Sequence, residues 1–204
     1  MKKITLAIFF ACWTLALAAQ DYIRVNYQGE RPTISDFAWA LLSATGEDDE
    51  ECCDEAMNGI RQAWINYREG RPQEEGVTLT VDQKNGFVLY ESRYEDQLQR
   101  IEMCYWNEAD KKHKLFAYSI SSFTNDWPAL GQFDGVVFYR YDNAKKQLSF
   151  VTDDIGFEQE FVNEDGVNVT YALPRSGKDI TVTYWYPDEE KQKTLKWTGS
   201  GFSR

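Results

Sequence analysis

Histidine is nearly missing from this chain: His113 is the only one in 204 residues. That count excludes a histidine-rich metal centre, and any Ser-His-Asp or Cys-His relay would have to run through His113. The residue lies among Lys111, Lys112 and Lys114 in a segment that reads as a hairpin turn. A solvated side chain is the expectation there, and a mobile turn is a poor place to hold a base. Cysteine is sparse too, at four residues. Structural zinc needs four well-spaced ligands and redox catalysis a C-x-x-C pair, and the adjacent Cys52-Cys53 supplies neither. No G-x-S-x-G, P-loop or dinucleotide fingerprint occurs, and Gly199-Ser200-Gly201 lacks the strand-to-helix setting of a nucleophile elbow. Basic residues number 22 against 33 acidic, a net charge of -11. The basic footprint that nucleic acid or an anionic membrane surface requires is therefore absent, and no metal or cofactor is expected.

Long apolar runs are equally scarce, and the one that matters opens the chain. Lys2 and Lys3 precede an apolar stretch over 4–17, and Ala16-Leu17-Ala18 is a small-residue cleavage pattern. The expectation is a secretory signal peptide over 1–19, cleaved after Ala18 or Ala19, and a secreted or periplasmic protein. The stretch is too short for a membrane span, which takes about 20 apolar residues. Cys12 would be the acylation site of a lipoprotein, but Phe9-Phe10-Ala11 before it lacks the aliphatic residue such a signal carries. Cleavage removes two lysines and makes the protein more acidic still, which favours solubility. About 185 residues remain, enough for one domain over 20–204 with a sizeable core. Cys52, Cys53 and Cys104 survive, an odd count that allows one disulfide at most. Cys104 with Cys52 or Cys53 is the natural pairing in an oxidising compartment, and three reduced thiols are the equal alternative.

Helical periodicity appears only near the front. Ile34, Phe37, Ala38, Leu41 and Leu42 mark one face of a helix between 32 and 44, with Thr33 or Ser35 as cap. A second helix is expected over about 49–69, with Cys53, Ala56, Met57, Ile60, Ala63, Trp64 and Tyr67 inward and Gly70 then Pro72 as the stop. The acidic run 47–51 suits the start of that helix and lacks the spacing and glycine of a calcium loop. From Val77 the period becomes two. Val77, Leu79 and Val81 alternate with threonines, and Asn85-Gly86 before Phe87 signals a hairpin. Asp165-Gly166 signals another, between Phe161-Val162 and 167–171. Further strands are expected over 99–106, 115–122, 136–141, 148–152, 180–186 and 194–198. Helices over about 33–70 followed by an antiparallel sheet over about 77–200 make an α+β domain. Some ten strands strain a single open sheet, so a curved β-meander, split into two sheets or partly closed into a barrel, is the expected form.

What the chain has in excess is aromatic. Tyr105-Trp106, Tyr139-Arg140-Tyr141 and Tyr184-Trp185-Tyr186 each lead through a polar turn to a returning leucine, Leu115, Leu148 and Leu195. Each phrase describes a β-hairpin. Neighbouring rings on a strand face opposite sides, so both faces of the sheet are expected to be covered. The stretches Met103-Cys104-Tyr105-Trp106-Asn107 and Leu115-Phe116-Ala117 carry a resemblance, together with 131–135 and 138–141. This middle third of the chain resembles uncharacterised secreted proteins of gut bacteria, a group to which no activity is attached.

Two functions follow as expectations. The first is a non-enzymatic module that binds a protein or a glycan through its loops and exposed rings. The alternative is a glycan hydrolase using paired carboxylates over aromatic platforms. The candidate ligand-binding residues are Trp106, Trp127 and Trp185 with Asp126, Asp153 and Asp154. Asp153 and Asp154 with Glu158 also have the oxygen chemistry of a calcium site, although turn roles for these acids are the simpler reading.

Overall fold

The change of period at Val77 is a change of structure. The computed structural model describes residues 22–44, 54–131, 133–162 and 166–203, with the side chains of 54–56 excepted. The expected signal peptide, Cys12, Cys52, Cys53 and the acidic run 47–51 lie outside the described residues. A short strand β1 (Tyr22–Arg24) precedes two helices, α1 (Ile34–Ala44) and α2 (Asp54–Glu69). Eleven strands follow: β2 (Val77–Asp82), β3 (Phe87–Tyr94), β4 (Gln97–Asn107), β5 (His113–Thr124), β6 (Trp127–Pro128), β7 (Gly135–Asp142), β8 (Gln147–Phe150), β9 (Asn168–Ala172), β10 (Ile180–Trp185), β11 (Glu190–Trp197) and β12 (Phe202–Ser203). The fold is α+β with antiparallel pairing. No described helix is long and apolar enough to cross a membrane.

The helix ends are set by local chemistry. Thr33 is the cap of α1: its carbonyl accepts from the Asp36 and Phe37 amides, and its own amide donates to Asp36 Oδ2 at 2.7 Å. This is the return half of a capping box with an aspartate in the third position, and the Thr33 hydroxyl donates to the same Asp36 oxygen. Gly70 ends α2 with a φ of 66°. The Arg71 amide donates to the Asn66 carbonyl at 2.8 Å and the Gly70 amide to that of Tyr67 at 3.3 Å, which is a Schellman closure.

Too many strands for one sheet resolve into two sheets, and no barrel closes. The larger runs β1-β8-β7-β5-β4-β3-β2, with β6 beside β5, and the smaller runs β12-β11-β10-β9. The three aromatic phrases form the hairpins β4–β5, β7–β8 and β10–β11. The first two place rings beside each other across strands, as with Tyr139 and Phe150 at 5.9 Å. The third sets lysines over its tyrosines instead, Lys193 Nζ standing 4.6 Å from the Tyr184 ring. Of the hairpin expected about Asp165-Gly166, residues 163–165 lie outside the described residues. Val162 and Asn168 share one isolated bridge, and β9 pairs with β10. Phe161 and Val162 stay exposed, so a strand there would have had no apolar cover to gain. β1, which carries no sequence signal in three residues, is held by β8 through Ile23 opposite Leu148.

Alternation sends the rings of the large sheet to two cores. On one face Val88, Tyr90, Ile101, Met103, Phe116, Tyr141 and Leu148 cluster with Phe37, Leu41, Ile60 and Trp64 of the helices. Phe37 is the hub, with ring centroids 5.3 Å from Tyr105, 5.6 Å from Phe116 and 5.0 Å from Tyr141. On the other face Phe87, Cys104, Trp106, Leu115, Ala117 and Phe138 cluster with Val169, Tyr171, Ile180, Val182, Leu195 and Phe202 of the small sheet. The two sheets are also pinned by polar bonds, from Ser119 Oγ to the Tyr171 carbonyl at 3.1 Å and from the Leu173 amide to Glu102 Oε2 at 2.7 Å.

Candidate functional site

The residues singled out in the sequence do not form one site. Trp106 is a core residue at 3% exposure, stacked on Trp197 at 5.6 Å with its Nε1 donating to the Lys178 carbonyl at 2.7 Å. No ligand reaches its ring. Asp126, Trp127 and Trp185 do come together. Asn125 and Asp126 form the two-residue turn between β5 and β6, both with positive φ, as a hairpin of that length requires. Asp126 is therefore a turn residue, and it also holds Arg93 at 3.1 Å. Trp127 meets Trp185 edge to face at 5.9 Å, and Trp185 meets Phe123 likewise while its Nε1 donates to Thr170 Oγ1. These rings clasp the two sheets together. Asp153 and Asp154 belong to the far end of β5. Arg140, opposite Leu115, holds Asp153 with both carboxylate oxygens near 3 Å, which depresses the Asp153 pKa, and Asp154 Oδ1 accepts the Gly156 amide. Nine residues of β5 separate that level from Trp127, about 30 Å at about 3.3 Å per residue. The indoles and these acids cannot serve one glycan ring.

Cys104 is buried against the small sheet, on the face away from the helices, and burial pushes its thiol pKa well up. It forms no disulfide among the described residues, and both of its expected partners lie outside them.

The concave surfaces lie along α2 instead. The spacing 59, 62, 63, 66 puts one stripe of the helix over the β2–β4 side of the large sheet, around a cavity of about 400 Å³. Gly59 makes the approach possible, because a Cβ there would stand 2.5 Å from the Tyr90 hydroxyl. The lining is rich in neutral amides: Gln62, Asn66, Gln73, Gln97 and Gln99, with Tyr94 73% exposed at the rim. Gln62 Nε2 donates to Asn66 Oδ1 at 3.1 Å and Gln73 Nε2 to the Ala63 carbonyl at 2.9 Å. Gln73 Oε1 is buried with no hydrogen-bond partner.

The opposite stripe of α2, with Trp64, Tyr67 and Arg68, faces α1 and the segment after β1 across a cavity of about 650 Å³. Trp39, Tyr67 and Tyr27 bring ring surface, and Asn26, Gln28 and Ser35 bring neutral donors and acceptors. Tyr67 is 46% exposed. The Arg68 guanidinium sits 4.8 Å from the Trp39 ring centre and braces the wall. Asp36 is the one carboxylate here, and its oxygen is occupied by Thr33.

A third cavity of about 470 Å³ shares Tyr27 with the second and runs to the β4–β5 turn. Lys114 lines it at 8% exposure. Its Nζ bonds Asn107 Oδ1 and stands 4.9 Å over the Tyr105 ring. Burial, reinforced by the charge of Arg31, lowers its pKa. His113 is likewise not the solvated side chain expected: its Nδ1 lies 2.5 Å from Asp110 Oδ2, and that bond with two backbone amides holds the Asp110 pKa at about 2. Glu108, Asp110 and His113 offer ligand atoms within 4.8 Å of one another, the one such cluster among the described residues. Glu108 Oε1 already takes Arg140 Nε at 2.8 Å and Asp110 takes His113, so the cluster is satisfied internally. Lys114 was legible in principle: counting back by two from the core residue Phe116 places it on the helix face.

Comparison with protein-family models, with curated proteins and with solved structures gives no match. The chemistry of the grooves has to speak for itself.

Proposed function

We propose that this chain is an exported, non-catalytic module that binds a glycan in the groove between α1 and α2. One observation carries the reading: Trp39, Tyr67 and Tyr27 line a cavity whose other lining is mainly neutral and polar, with Arg68 over one side of the Trp39 ring and Lys146 over one side of the Tyr27 ring. Sugars present apolar C–H faces and a rim of hydroxyls, which rings and amides match without charge. The amide-lined cavity on the other side of α2 has the same chemistry and would take further units of a chain. The basic n-region and small-residue cleavage pattern of 1–19 support export.

The hydrolase alternative finds less support. Glycoside hydrolysis needs two carboxylates about 5 to 9.5 Å apart. Each groove along α2 is lined by one, Asp36 or Glu74; of the two in the third cavity, Glu30 and Glu108, the second is bound by Arg140, and Asp126 and Asp153 are paired with arginines elsewhere. Screening the purified protein on a glycan array is the first test, followed by titration of any hit against Trp39→Ala and Tyr67→Ala. Each substitution is expected to weaken binding by tenfold or more while leaving the circular dichroism spectrum unchanged. Hits whose affinity ignores both substitutions would remove the groove from the function, and an empty array would remove the glycan.

A further inference from the structure

We infer that the cavity between Arg31 and Lys114 receives the carboxylate of an acidic sugar whose ring lies in the adjoining α1–α2 groove, an inference that rests on the glycan reading above. Lys114 is more than nine-tenths buried, yet no carboxylate of the described residues comes within 4.0 Å of its ammonium. Its contacts are an amide oxygen and a tyrosine ring, which orient a cation without neutralising it. Burying an ammonium is costly unless an anion is paired with it. Arg31, on the same wall, adds a second positive charge that repels the first. Two like charges held around one cavity are at their most stable when an anion sits between them.

The other charges of the cavity leave its balance positive. Lys111 and His113 also line it, against Glu30 and Glu108. Glu108 is engaged by Arg140 and so does not answer Lys114, and His113 is paired with Asp110. What remains is Arg31, Lys111 and Lys114 against Glu30, a positive excess that favours an anion beside Lys114. Asn107 and Asn143 stand on the same lining as neutral hydrogen-bonding groups. Continuity with the groove comes from Tyr27, which borders both cavities, so a ring stacked beside Trp39 and Tyr67 can point its acidic substituent past Tyr27 toward Lys114. In a chain of net charge -11 this local excess of cations is a feature of the cavity, not of the surface at large.

The test uses two-dimensional NMR of the full-length protein with acetate, glucuronic acid and the methyl ester of glucuronic acid. Acetate and glucuronate are expected to shift the amides of Asn107 and Lys114 saturably, and the ester to leave them in place. Glucuronate alone is expected to move the Trp39 indole and Tyr67 signals as well. Arg31→Gln, at an exposed position that does not threaten folding, and Lys114→Met should each weaken the glucuronate response by tenfold or more. Equal binding of ester and acid, or no change in either variant, overturns the inference. Neutral glycans that bind the groove while acetate and glucuronate leave Lys114 unmoved overturn it and leave the glycan reading standing. Acetate shifts at Lys114 with no glycan of either kind reaching Trp39 overturn the glycan reading and, with it, the acidic sugar as the occupant.

Discussion

Along β4, successive residues go to different coverings: Met103 and Tyr105 meet the helices, Cys104 and Trp106 meet the small sheet. The rings are similar on the two faces, but the outcome is not. Four strands of the small sheet lie over the central β3, β4, β5 and β7, and the space between is filled by apolar side chains. Two helices face the whole path from β1 to β2. Seven strands spaced by about 4.8 Å span about 29 Å, whereas two helices about 10 Å across cover about 20 Å. Rods cannot tile a twisted sheet of that width, so clefts open on both flanks of α2. Polar side chains line them because water reaches them. The face under the small sheet gives cohesion, with a recess of about 280 Å³ at its Phe138–Phe157 edge, and the helix face gives the larger concave surfaces.

The largest expected effect tests whether both faces are cores of equal standing. Phe37→Ala and Trp106→Ala should each cost about 3–5 kcal/mol in urea unfolding. If Trp106→Ala costs under about 1 kcal/mol, the small sheet is a loose cover and the comparison fails. A smaller effect comes from the tight approach of α2 to the sheet. Gly59→Ala should destabilise by about 1–3 kcal/mol through its clash with Tyr90. Adding Tyr90→Phe, which removes the hydroxyl, should recover most of that loss, and a failure to recover it would place the strain elsewhere.

The smallest effect is in the acid profile, where two carboxylates have opposite signs. Asp110, exposed at the β4–β5 turn, has its pKa lowered from 3.8 to about 2. Its stabilisation is complete above the unfolded value and is lost as pH falls through about 2, so Asp110→Asn should flatten the acid limb of the stability curve. Glu102, turned toward the small sheet, has its pKa raised by burial, despite the bond it accepts from Leu173. Its contribution is therefore most favourable below the unfolded pKa and declines as pH rises through the folded one. Glu102→Gln, which keeps an acceptor for the Leu173 amide, should raise stability at neutral pH in thermal melts. A loss there would show that the charge itself is used by the inter-sheet contact.

Much of the fold was legible in the residues. Thr33, Gly70 and the three-and-four spacing from Ile34 fix both helices, and the three aromatic phrases fix three hairpins, because caps, turns and alternation are local. The pairing of β1 with β8 was not legible, nor was the pairing of β9 with β10. Those are decided by which apolar surface a distant strand can cover. The site was less legible still. The candidates Trp127, Trp185 and Asp126 come together in the structure as a clasp and a turn, and Trp106 is core. The groove residues Tyr27, Trp39, Tyr67 and Lys114 belong to separate elements and carry no motif.

By itself, then, the amino-acid order determined acidity and the helix and hairpin set, since composition and short-range periodicity need no neighbours. Only the tertiary structure decided which rings are buried, how the strands divide between two sheets, and where clefts remain, because those depend on how much of a wide sheet two rods can cover.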